Sequence, residues 1–184
     1  MATIRLLLGI LCFVIISGFG LLDRNLLNSK FSFNALECQK RELLVRIAEK
    51  EIGVKEITGN NDGFRVETYL TSVSLKKGQP WCAGFVSWVF AQAGYDKPRS
   101  GWTPDLFPLS RLARSALPGN LLGIYFVKLK RIAHVGLIVN QKGDWVNSVE
   151  GNTNIQGSRE GDGVYRKKRH IKTIYRISDW VKVD

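Results

Sequence analysis

Three kinds of side chain in this sequence, far apart along the chain, could together perform acyl chemistry: a cysteine, Cys82; a histidine, His134; and a carboxylate or amide, Glu150 or Asn152. Cys82 lies in Gly78-Gln79-Pro80-Trp81-Cys82-Ala83-Gly84-Phe85-Val86-Ser87-Trp88-Val89-Phe90, where Pro80 breaks any preceding helix. Apolar residues at 85, 86, 89, 90 and 93 then recur at helical spacing, and Gly94 is a natural stop. A thiol in a first helical turn sits among unpaired N–H groups at the positive end of the helix dipole. That lowers its pKa below the free value of about 8.5 and makes it a nucleophile. The same N–H groups can hold an oxyanion. Simple packing against Phe85, Val86 and Val89 is the alternative for a helical cysteine.

A thiolate nucleophile needs a nearby proton acceptor whose second ring nitrogen is fixed by a third group. His134 falls in the alternating run 132–139, with Gly136 and Ile138 on its face, although a satisfied core histidine is the competing role. The other histidine, His170, stands beside Arg169 and near Lys167, where positive charge makes a poorer base. A hairpin loop at 140–144 paired symmetrically about Lys142 sets Val139 opposite Trp145 and His134 opposite Glu150. A two-residue slip brings Asn152 opposite His134 instead, whereas a one-residue slip puts Val149 there. Either even register gives His134 a partner for its Nδ1–H: an ionised Glu150 that would also stabilise imidazolium, or an Asn152 that would orient without charge.

The surrounding elements follow from the apolar pattern. Residues 36, 43, 44, 47, 48 and 52 mark one helical stripe ended by Gly53, and 66, 69, 70 and 73 mark a second helix after the turn cluster 58–63, whose Asn and Asp residues are candidate caps. That cluster lacks the alternating oxygen ligands and closing Glu of a calcium loop, so no metal is expected. Residues 95–118 carry four prolines around Trp102, which either packs or lines a groove for sugar or peptide. Strands are expected over 124–127, 132–139, 145–150, 164–169 and 173–177.

The chain of 184 residues carries a formal net charge of +11, which points to an anionic partner. Residues 6–22 hold no charge, so 1–22 reads as a signal peptide or membrane anchor, 23–34 as a linker and 35–184 as the working domain. Localisation is then exported, periplasmic or extracellular, and tethered if the leader is retained. Cys12 lies within the leader, which leaves Cys38 and Cys82 outside it. A disulfide between those two would abolish the nucleophile.

The order Pro80-Trp81-Cys82-Ala83-Gly84-Phe85-Val86, then His134-Val135-Gly136, then Glu150-Gly151-Asn152-Thr153-Asn154 resembles a CHAP domain, a branch of the NlpC/P60 papain-like superfamily of peptidoglycan hydrolases. The resemblance spans about residues 35–177. It implies an α+β papain-like fold with the nucleophile helix packed on an antiparallel sheet. It further implies Cys82 as nucleophile, His134 as general base, and Glu150 and Asn152 as the polar groups completing the site. Gln79, Trp81 and Trp102 are the candidate substrate-binding residues, with Gln79 an oxyanion donor by analogy, although its spacing from the cysteine differs from papain's. Some members bind calcium through an Asp-rich motif; Asn60-Asn61-Asp62-Gly63 does not match it, and no cofactor is carried over.

The implied reaction cuts an amide of the cell-wall stem peptide, as an N-acetylmuramoyl-L-alanine amidase or an endopeptidase, through a thioester on Cys82. Acyl transfer by the same dyad and a non-catalytic, membrane-tethered wall-binding module are the competing readings. The basic run Arg166-Lys167-Lys168-Arg169 suits an anionic wall polymer or a membrane surface, or is a solvated sheet edge. No nucleic-acid module accompanies the charge, so nucleic-acid binding is not expected.

Overall fold

The computed structural model describes residues 34–156 and 161–182. The expected leader, 1–22, and all but the last residue of the expected linker lie outside the described residues. No helix among the described residues is long and apolar enough to cross a membrane. The chain divides into two compact units, Met1–Gln39 and Lys40–Asp184. Of the first, residues 34–39 are described and are helical.

The second unit is α+β. Helix α1 covers 34–50, α2 is Phe64–Thr71 and α3 is Cys82–Gln92. Short 3-10 turns break the proline-rich stretch that follows, at Thr103–Leu106 and Leu109–Arg111. The strands are β1 (Leu112–Ala113), β2 (Leu121–Phe126), β3 (Arg131–Lys142), β4 (Trp145–Thr153), β5 (Gly163–His170) and β6 (Arg176–Ser178). They form one six-stranded sheet in the order β1-β6-β2-β3-β4-β5, antiparallel throughout.

The buried positions show why α3 is central. Residues 82–90 are all buried, so the helix is wrapped on every side rather than amphipathic, as expected for an element at the middle of a core. Phe85, Val86, Val89 and Phe90 share a cluster with Tyr69 and Leu70 of α2 and with Val135, Leu137 and Val149 of the sheet. Tyr69 touches the rings of Trp81, Phe85 and Trp88 at centroid distances of 5.5, 5.3 and 5.2 Å. The alternate strand residues Leu122, Ile138, Val146 and Ile177 make a second apolar cluster with Ala116. In α1 the stripe is narrower than expected: Leu44 and Ala48 are buried, whereas Leu36, Leu43 and Ile52 are exposed. A buried arginine adds to its anchorage, since Arg41 donates to the Asn120 side chain at 2.8 Å and to the Asp179 carboxylate at 2.6 Å.

Two local expectations need correction. The turn before α2 does not cap it with Asn or Asp. Asp62 accepts from the backbone and hydroxyl of Thr58 at 2.9 Å each, and the cap position is Gly63, whose N–H is taken by Glu67 at 3.2 Å. The β3–β4 loop is also shorter than expected. Lys142 pairs with Trp145 around Gly143 and Asp144, and beyond an irregularity between Ile138 and Asn140 the register becomes Leu137↔Val149. That register is the two-residue slip: it sets Gly136 against Glu150, not His134 against Glu150.

Candidate active site

The backbone brings Cys82 to its place through Trp81. The Trp81 indole is fully buried on Tyr69, and its Nε1–H donates to Glu56 at 2.8 Å. Its backbone N–H donates to Asn152 Oδ1 at 3.4 Å. Cys82 is thus the first residue of α3, where first-turn N–H groups lack intrahelical acceptors. Its thiol is free and buried, so no bridge to Cys38 forms.

Cys82 and His134 are near enough for each to shift the other's proton affinity. The imidazole Nε2–H donates to Glu150 Oε2 at 2.8 Å, and Nδ1 is buried with no hydrogen-bond partner among the described residues. With Nε2 committed to the carboxylate, Nδ1 is the ring nitrogen left for proton exchange. The expected bond thus forms through Nε2 rather than Nδ1, and Glu150 rather than Asn152 is the partner.

Glu150 reaches the ring diagonally across the glycine opposite it. A Cβ on Gly136 would lie 2.5 Å from Glu150 Cγ, so only glycine lets that side chain lie flat over β3. The carboxylate is completely buried and fully engaged. Ser148 donates to Oε1 at 2.6 Å, and Arg169 grips both oxygens, at 2.6 Å through Nε and 2.5 Å through Nη2. Such a paired arrangement is what makes a buried carboxylate tolerable.

The electrostatics favour an ion pair. Burial works to keep Cys82 protonated, but His134, then the Thr103 hydroxyl and the Val135 backbone N–H, outweigh it and move the thiol pKa down. Burial likewise disfavours imidazolium, yet Cys82 and Glu150 raise His134 to about 9. Burial would lift the Glu150 pKa, but Arg169 and His134 hold it well below the ordinary carboxylate range. The shifts therefore all run toward thiolate, imidazolium and carboxylate.

Beside the sulfur lies a groove of about 370 Å³ lined by Cys82, Gln79, Trp102, Thr103, Arg131 and Ala133, among others. Thr103 Oγ1 is 3.8 Å from the sulfur. Gln79 is on this wall, with its Oε1 taken by the Lys76 N–H at 2.6 Å. Searches against protein-family models, curated proteins and solved structures return no match to the chain.

The remaining candidates are placed differently from expectation. Trp102 lines the groove and is 51% exposed, but Trp81 is a fully buried core residue that is not among the groove's lining residues. Asn152 turns away from His134 because its backbone is left-handed, φ 53°, at an irregularity between Glu150 and Thr153. Its Nδ2 donates to Asn61 Oδ1 at 2.8 Å and to the Gly161 carbonyl at 3.2 Å, so it positions the start of α3 rather than the base. His170 lies on β5 against Trp145, apart from Cys82. The basic run is largely committed within the fold: Arg166 pairs with Glu49 at 2.7 Å, Lys167 donates to two backbone carbonyls, and Arg169 holds Glu150.

Thr103, Ser148, Arg131 and Arg169 were not legible as site residues. For Arg169 a signal existed, because a carboxylate on a buried strand requires a cation and the strongly basic strand β5 follows it. Among the described residues no cluster of three or more His, Cys, Asp or Glu side chains could hold a metal ion.

Proposed function

We propose that this chain is a cysteine peptidoglycan hydrolase of the CHAP type, with a papain-like fold, that cuts an amide bond of the cell-wall stem peptide. The observation that carries the reading is the buried Cys82 thiol at a helix start, coupled to a buried His134 whose Nε2 is locked to Glu150 and whose Nδ1 has no other partner among the described residues. The motif order discussed above supplies the substrate class. An exported location follows from the leader and is proposed with it.

The thiolate attacks the amide carbonyl carbon, and the carbonyl π electrons move to oxygen. First-turn N–H groups of α3 and the Gln79 side-chain amide are the candidate donors to that oxyanion. Collapse breaks the C–N bond as imidazolium Nδ1–H protonates the leaving nitrogen, giving an amine and a thioester. Neutral Nδ1 then takes a proton from water, hydroxide adds to the thioester carbonyl, and the sulfur leaves as thiolate with its imidazolium restored. Glu150 stays ionised and orients the ring throughout.

The test is release of stem peptides from purified sacculi by Cys82→Ala and His134→Ala, each checked for folding. Losses of roughly 10⁴-fold or more are expected. Full activity in either refutes the mechanism. A product bearing a transferred acyl group rather than a new carboxylate would favour acyl transfer.

A further inference from the structure

Besides Cys82, the groove has one ionisable side chain among its described lining residues, Arg131. Its guanidinium lies 4.0 Å from the centroid of the Trp102 ring, and one nitrogen donates to the Ile132 carbonyl at 3.1 Å. No carboxylate forms an ion pair with it among the described residues. Arg41, Arg65 and Arg169, by contrast, each have such a partner, in Asp179, Glu51 and Glu150. Arg131 is instead held by stacking on an exposed indole beside the groove it lines, and one nitrogen on the Ile132 carbonyl leaves the other N–H groups of its fork for a ligand. A planar fork of this kind matches a carboxylate in bidentate fashion.

Position makes this specific. Arg131 and Ala133 line the groove from the start of β3, immediately before the base His134. A bulge in this stretch pairs Arg131 with Phe126 and His134 with Ile124, so at about 3.3 Å per β2 residue the α-carbons of 131 and 134 are about 7 Å apart along the strand, the span of roughly two extended substrate residues. A group bound by Arg131 therefore lies within a few residues of the bond presented to Cys82.

We propose that Arg131, supported by Trp102, is a carboxylate-recognising subsite that selects substrates with a free carboxylate near the scissile amide and disfavours those with a carboxamide there. This rests on the hydrolase reading for its substrate, but the site can be tested without turnover. Two synthetic stem peptides, identical except that the carboxylates of one are amidated, are titrated against Cys82→Ala protein by calorimetry. The carboxylate peptide should bind roughly ten- to hundredfold more tightly. Arg131→Ala in the same background should erase that difference by weakening only the carboxylate peptide, and Arg131→Lys should restore part of it.

In parallel, wild-type enzyme should show the preference mainly in KM, with kcat little changed. Equal binding of the two peptides, binding of neither, or a preference that survives Arg131→Ala overturns the inference. Preference in binding without any cleavage by wild-type protein would leave the subsite standing and sink the hydrolase reading, so the two failures are distinguishable.

Discussion

At the residue scale, the site is three ionisable groups whose proton affinities are pushed apart by one another. Turnover by the proposed mechanism needs Cys82 ionised and His134 protonated at once. Because His134 is raised to about 9, activity should hold through neutral pH and fall as pH rises through about 9. The lower limb should lie below the range of an ordinary thiol, because Cys82 is shifted down. A pH profile of kcat/KM checks both limbs. A profile that only climbs through the ordinary thiol range would contradict the ion pair.

Stability carries the same signs. The His134 contribution is full below about 6.5 and lost as pH rises through about 9, while Glu150 contributes above its ordinary value of 4.5 and loses that in stronger acid. Glu150→Gln should lower kcat by roughly 10²- to 10⁴-fold, and it leaves Arg169 without its counter-charge at a cost of about 3–5 kcal/mol. Kinetics and chemical denaturation check the two effects separately. Cys82 and His134 could be found in the sequence because helix starts and strand alternation have strong periodic signals. Asn152 could not be placed, because its left-handed backbone is set by long-range packing that no local pattern encodes.

At the element scale, β3 and β4 act as the chassis of the base. Gly136 is where they must approach, since a methyl there would meet Glu150 Cγ at 2.5 Å. Gly136→Ala should push Glu150 off the His134 ring and reduce kcat at least tenfold, with KM less affected. Rescue by no other substitution at 136 is expected, and unchanged kcat would argue that Glu150 is not the orienting group. Gly151 plays the matching role toward α3, its Cβ position lying 2.6 Å from the Trp81 ring. Gly151→Ala should cost about 1–3 kcal/mol by overpacking, read as a lower denaturation midpoint.

Strand positions were legible from alternation, and the sheet core formed where the apolar runs indicated. The hairpin register was not. Asn140, Gln141 and Lys142 look like a polar loop but continue the strand, because past the core the ladder needs only backbone partners. The same shift moved the third member of the site from a direct cross-strand neighbour to a diagonal one.

At the scale of the molecule, internal ion pairs leave the net charge of +11 unchanged but narrow down which cations carry it. Arg41, Arg65, Arg166 and Arg169 are all joined to carboxylates. Arg41 links α1 to the turn before β2 and to the C-terminal segment, so Arg41→Ala should destabilise the fold by about 3 kcal/mol. That corresponds to a Tm lower by roughly 6–12 °C for a protein of this size, measurable by calorimetry. Composition alone could not reveal these pairings, since it counts charges without their neighbours.

The central claim is that Cys82 splits a stem-peptide amide with water as the final acceptor. Digestion of purified sacculi in ¹⁸O-enriched water, read by mass spectrometry of the released fragments, tests it most directly. Wild-type protein should release fragments carrying one ¹⁸O atom in a new carboxyl group, and Cys82→Ala should release none. The same labelled fragments from Cys82→Ala, or no labelled fragment from folded wild-type protein, would contradict it.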